Sequence, residues 1–179
     1  MAEPTDEQLM ERFCTGDPSA FEALFDRYLT RVQSFLRPMV RDPALAEDLT
    51  QATFLSVIRS KDRYLKGALV APWIFTIAAN AARDCLRRKT VERIAANAEQ
   101  PETSVAPDPV DHGLRRQLEA ALQQLPVGQR EAVVLHKVQG LSFEQVAEAI
   151  GISATAARIR AHRGYVKLRT LLAHLEDAT

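Results

Sequence analysis

Residues 142–163 read SFEQVAEAIGISATAARIRAHR. Ser142 stands three residues before Gln145, the spacing of a capping box that opens a helix. Gly151 suits the left-handed position at which such a helix ends, and Ser153 can cap a following one. Helix, tight glycine turn, helix is the helix-turn-helix pattern. Phe143, Val146, Ile150, Ile152 and Ala157 form the inward set that crosses the two helices. Thr155, Arg158, His162 and Arg163 then project from the second. A helix fits the major groove, and arginines bond guanine edges or phosphates. Between residues 149 and 175 there is no acid, while Arg158, Arg160, Arg163, Lys167 and Arg169 supply five positive charges. The competing reading is an ordinary crossed helix pair in a bundle.

Working outward, apolar residues recur at helical spacing almost throughout, and no run alternates as a half-buried strand does. The fold class expected is all-α. Asp17-Pro18 supplies a cap and a proline at the first helical position, with Phe21, Leu24, Phe25, Tyr28, Val32, Phe35, Leu36 and Met39 along one face. Pro38 is expected to kink or shorten the end of that helix. Asp42-Pro43 opens a second helix with Leu45, Leu49, Ala52 and Val57 or Ile58 inward and Asp48, Gln51 and Arg59 outward. Residues 62–70 read as a loop turning at Gly67. From Pro72 a third helix runs to about Arg93, burying Ile74, Ile77, Ala78, Ala81 and Cys85.

The pattern breaks at residues 96–113, where Pro101, Pro107 and Pro109 and four acids occur with almost no large apolar residue. This composition predicts a flexible linker between two small helical domains, residues 1–95 and 114–179. The second domain divides into helical units at 114–124, 128–137, 142–150 and 154 to about 175.

The formal charge is zero, with 23 basic and 23 acidic residues, yet its distribution is uneven. Residues 1–26 hold seven acids against Arg12 alone, whereas residues 83–93 hold five bases and two acids. A neutral total therefore does not exclude a polyanion as partner, because the basic zones act at short range. Cys14 and Cys85, far apart in sequence, support neither a disulfide framework nor a zinc pattern. No cofactor or metal is expected, and His112, His136, His162 and His174 are scattered, so the chain is not expected to be an enzyme. Residues 1–11 lack the basic start and apolar run of a signal peptide, and no stretch has the length of a membrane span. A cytoplasmic location without membrane insertion is the expectation.

On the third helix, Trp73, Thr76, Asn80, Arg83 and Arg87 are spaced by three, four, three and four residues and form a stripe apart from the apolar one. An aromatic, two neutral hydrogen-bonding groups and two cations suit a single strand, whose bases stack and whose phosphates need neutralising. The stripe by itself is equally compatible with a partly buried tryptophan anchor and a solvated polar face.

Two blocks resemble a known family. Residues 46–54 (AEDLTQATF), 72–80 (PWIFTIAAN) and 84–88 (DCLRR) look like region 2 of the bacterial sigma-70 family. Leu125-Pro126, Gln129-Arg130-Glu131, residues 140–147 (GLSFEQVA) and Gly151-Ile152-Ser153 resemble region 4. The short linker, with no region 3 domain, resembles the extracytoplasmic-function (ECF) group.

The resemblance implies core RNA polymerase and promoter DNA as partners. It places Asp48, Gln51 and Phe54 on the surface that docks on the polymerase clamp helices. Arg63, Tyr64 and Lys66 in the loop, with Thr76, Asn80, Arg83 and Arg87, would capture the opened minus-10 strand beside Trp73. Arg158, Arg160, His162 and Arg163, with Thr155, would read the minus-35 duplex. It further implies an anti-sigma protein covering the same surfaces. A stand-alone helix-turn-helix regulator is the alternative, and it leaves residues 48–88 without a use. Two local features shape the expectations. Gly164 inside a helix costs roughly 1 kcal/mol relative to alanine, which predicts a less rigid far end of the recognition helix. The apolar run Ala68-Leu69-Val70-Ala71 points to a partner surface in the loop.

Overall fold

The computed structural model describes residues 3–95 and 113–176. The segment expected to be the linker lies outside the described residues, apart from Gly113 at its end. Every regular element among the described residues is helical.

The first helix, α1 (Asp6–Cys14), was not anticipated from sequence. Thr5 and Gln8 close a capping box on it, and Asp6 and Glu7 sit in its first turn, where carboxylates complement the helix dipole. It buries Leu9, Met10 and Phe13. Then α2 (Pro18–Val40) starts on the Asp17 cap with proline at its first position. Pro38 does not shorten α2 before Val40; the helix ends at Arg41, whose backbone is left-handed (φ 64°).

The next helix, α3 (Pro43–Ser60), is capped by Asp42 and runs into a 3₁₀ turn at Lys61–Arg63. Its inward face is Ala46, Leu49, Thr50, Thr53, Phe54 and Val57, so Ala52 and Ile58, expected inward or as candidates for it, point out. Thr50 and Thr53 are tolerated inside because each hydroxyl donates to a carbonyl one turn back, at 2.7 Å. Last of this group, α4 (Val70–Ala95) buries Ile74, Phe75, Ala78, Ala79, Ala82 and Cys85, leaving Ile77 and Ala81 half-buried at the margin. At the centre Tyr28, Phe35 and Phe75 are wholly buried, with Phe75 edge-on to both other rings.

The second group comprises α5 (Gly113–Gln123), α6 (Val127–Val133) continuing as a π-helical turn (Val134–Val138), α7 (Phe143–Ile150) and α8 (Ala154–Glu176). Helix α8 lies along α6 on Ala157, Ala161 and Gly164. A Cβ at Gly164 would stand 2.5 Å from Val133 Cγ2. This corrects the expectation of a loosened helix end, because the glycine is buried and lets two backbones approach closely.

The two groups touch. Arg130 of α6 sends its guanidinium to the end of α2, donating from Nη1 to the carbonyls of Pro38 and Met39 at 3.0 and 3.2 Å. The same side chain donates from Nη2 to the carbonyls of Gln123 and Leu125. Carbonyls at a helix C-terminus lack partners within the helix and carry partial negative charge, so a buried cation is well placed there. Arg31 donates to the Gln139 carbonyl at 3.1 Å, and Gln139 donates to Ser34 Oγ at 2.9 Å.

Candidate polymerase and nucleic-acid surfaces

Three faces emerge from this scaffold. On α3, Asp48 and Gln51 are exposed, whereas Phe54 is buried, with its ring centroid 4.7 Å from that of Phe25. Phe54 is thus a core residue beneath the face rather than a group projecting from it. A groove of about 210 Å³ opens between α2 and α3, floored by Phe25, Leu29 and Phe54 and rimmed by Gln33, Glu47 and Gln51.

The second face joins the loop to α4. Arg63 and Lys66 are exposed, the latter 3.6 Å from Glu11. Tyr64 turns inward instead: its ring meets Trp73 edge-on at 5.4 Å and its hydroxyl donates to the Ala68 carbonyl. Burial pushes the Tyr64 pKa up to about 12. Tyr64 therefore supports the half-buried Trp73, and Val70 of the apolar run is likewise core, leaving Leu65 and Leu69 as the exposed apolar groups of the loop.

Along α4, Thr76 bonds back to the Pro72 carbonyl and Asn80 is exposed. Asn80 Oδ1 accepts from Arg83 Nη1 at 3.1 Å. Arg83 Nε donates to Glu131 Oε1 at 2.7 Å, so one cation of the stripe is engaged by α6. Arg87 pairs with Asp84 at 3.2 Å.

The third face is the helix-turn-helix. Ser142 and Gln145 close the capping box, Gly151 is left-handed (φ 70°), and Ser153 Oγ accepts from Ala156 N at 3.1 Å. Thr155, Arg158, His162 and Arg163 are exposed on α8. Arg160 is not grouped with them: residues two apart on a helix lie about 200° apart, and Arg160 is half-buried over Gly128. Phe143, expected inward, is half-buried and stacks on His136 with centroids 4.1 Å apart, while the Arg158 guanidinium lies 5.3 Å from its centroid. The Glu144 carboxyl is held below its usual range, chiefly by its own backbone N–H and the Ser142 hydroxyl and to a lesser degree by Arg158.

Sequence reasoning did not single out Ile159 and Val166, exposed apolar residues on α8 that share its outward side. It also missed Arg130, Glu131 and Gln139 as joints between the two groups, although a charged or polar residue at an inward position of a helical period is the signal such joints leave. Among the described residues no three His, Cys, Asp or Glu side chains converge. Among them, too, no helix is long and apolar enough to cross a membrane.

Residues 24–91 match Sigma-70 region 2, and residues 115–168 match Sigma-70, region 4. The chain belongs to the sigma-70 family of RNA polymerase sigma factors, in its ECF group. It is 59% identical to the RNA polymerase sigma factor CarQ of Myxococcus xanthus, over 93% of this chain and 97% of that protein. It is 34% identical to the ECF RNA polymerase sigma factor SigE of Mycolicibacterium smegmatis, over 99% of this chain and 71% of that protein. Among solved structures, it superposes with a TM-score of 0.78 on the sigma factor RpoE in complex with the anti-sigma factor NepR from Bartonella quintana. That match is 27% identical and covers 86% of this chain and 96% of the other.

Proposed function

We propose that the chain docks on core RNA polymerase through the exposed α3 face around Asp48 and Gln51, and directs the polymerase to a promoter with two separate DNA-reading surfaces. The face along Arg63, Trp73, Thr76, Asn80 and Arg87 takes the opened minus-10 strand. The α8 face with Thr155, Arg158, His162 and Arg163 reads the minus-35 duplex. Residues 1–95 and 114–179 act as the two binding units, and 96–113 as the tether that sets their reach. The protein initiates transcription without catalysing a reaction of its own, RNA synthesis being the polymerase's, and it acts in the cytoplasm. An anti-sigma protein is a further partner, by likeness to relatives solved with one.

The observation that supports this reading is the coexistence of a capped helix-turn-helix with a second, chemically different stripe on α4, whose Asn80 and Arg87 are exposed and whose Trp73 and Thr76 are half-buried. A stand-alone regulator needs only the former. Binding of the full chain to duplex promoter fragments, with and without core RNA polymerase, tests it. Retarded complexes that form only with core are expected; tight duplex binding by the chain alone favours the regulator. Asp48→Arg reverses an exposed charge without touching the buried face, so core pull-down should fall while far-ultraviolet circular dichroism is unchanged.

A further inference from the structure

His136 lies in the π-helical turn Val134–Val138, and its Nδ1 is 2.7 Å from the Leu141 carbonyl. A carbonyl only accepts, so Nδ1 carries the proton and the imidazole plane is fixed by a backbone atom. The Phe143 ring lies nearly parallel to that plane, at 22° and 4.1 Å. The Arg158 guanidinium lies over the same Phe143 ring. Among the described residues Arg158 makes no hydrogen bond or ion pair, and it acts on the Glu144 carboxylate only through space, so its N–H donors remain open.

An arginine held by an ion pair presents fewer free donors. One held on an aromatic face keeps its edges available, because the ring attracts the plane of the guanidinium. Bidentate recognition of guanine O6 and N7 needs a fork of free donors in a set orientation. Holding that fork before binding reduces the ordering cost at the interface. Among the described residues the exposed Arg163 makes no such aromatic contact, and Arg160 is packed over Gly128.

We propose that Phe143 and His136 are positioning residues that aim Arg158 at one base pair of the minus-35 element. They thereby set sequence preference at that pair without touching DNA bases themselves. The inference rests on the reading of α8 as the duplex-reading helix. It goes beyond that reading by assigning specificity to a side-chain stack in α7 and the π turn.

The test uses holoenzyme reconstituted from the full chain and core RNA polymerase, and a pool of promoter duplexes randomised across the minus-35 element. Arg158→Ala should flatten preference at one position. Phe143→Leu, which keeps apolar volume but removes the ring, should lower preference at that same position about 2- to 5-fold, the scale of an exposed cation–π contact. Phe143→Tyr should restore it. The double variant Phe143→Leu with Arg158→Ala should lose nothing further there, since the two act as one unit. Should Phe143→Leu unfold, His136→Ala carries the same expectation.

An equal loss at all positions, additive losses in the double variant, or an unchanged profile would each overturn the positioning role. If Arg158→Ala lowers affinity equally on all sequences, Arg158 meets only phosphate and the positioning role falls while the reading of α8 stands; if it changes neither affinity nor preference, the reading of α8 falls with it.

Discussion

Arg83 of α4 and Glu131 of α6 form an ion pair at 2.7 Å, with the Arg83 side chain about a third exposed and Glu131 almost wholly buried. The pair draws a cation of the proposed minus-10 stripe onto the helix-turn-helix half of the molecule. Its Nε is committed to α6, while Nη1 reaches Asn80 on the stripe itself.

Glu131→Gln keeps the side chain's shape and removes its charge. After allowance for solvent at Arg83, the contact should lose on the order of 1 kcal/mol. The expected outcome is a larger radius of gyration by small-angle X-ray scattering at unchanged helicity. An unaltered scattering curve would show that the other joints, Arg130 on the α2 carbonyls and Arg31 on Gln139, hold the two halves without it.

Gly164→Ala sets helix propensity against packing. Propensity favours alanine by about 1 kcal/mol. The new Cβ, 2.5 Å from Val133 Cγ2, forces a shift of the kind that costs about 1–3 kcal/mol. Packing should win, with a lower midpoint in denaturant unfolding, and Val133→Ala in the same chain should recover part of the loss. A stabilised single variant would mean that α8 is free to move away from α6.

Asp17 accepts hydrogen bonds from the Ser19 hydroxyl and backbone N–H and from Arg12, which together lower its pKa to about 2. A carboxyl lowered on folding stabilises above its ordinary range, and that contribution is lost as pH falls toward about 2. Carboxyl carbon shifts followed by NMR should give a midpoint near 2, and Arg12→Ala should move it upward. Asp17→Asn, which still caps α2, should flatten the acid side of the stability profile.

Asn80→Ala and Arg158→Ala should fail at different steps. Loss of Asn80 should impair strand opening on duplex templates, read as reduced permanganate reactivity over the minus-10 region. Loss of a bidentate base contact is worth about 1–3 kcal/mol, so Arg158→Ala should weaken closed complexes roughly 5- to 100-fold at fixed salt. If Arg158 met only phosphate, affinity would fall similarly on all sequences and the salt slope would drop by about one unit. Identical defects in the two variants would remove the case for two reading surfaces.

The sequence by itself determined whatever is local along the chain. Capping boxes, proline at first helical positions and left-handed glycine join residues within one or two turns, so the helix-turn-helix and the starts of α2 and α3 were legible. The same logic was available for α1, whose Thr5 and Gln8 carry the signal. Helix faces were less secure, because one residue of rotation exchanges Ala52 for Thr53, and only contact with α2 and α4 decides which is covered. Tertiary structure alone decided the roles set by neighbours distant in sequence. Phe54 went inward against Phe25 and Phe21 and Tyr64 against Trp73, and Gly164 became a packing residue because α6 lies against it. Arg130 meets the α2 carbonyls 92 and 91 residues away, and no periodicity in the chain encodes a bond between an arginine and the unpaired end of another helix.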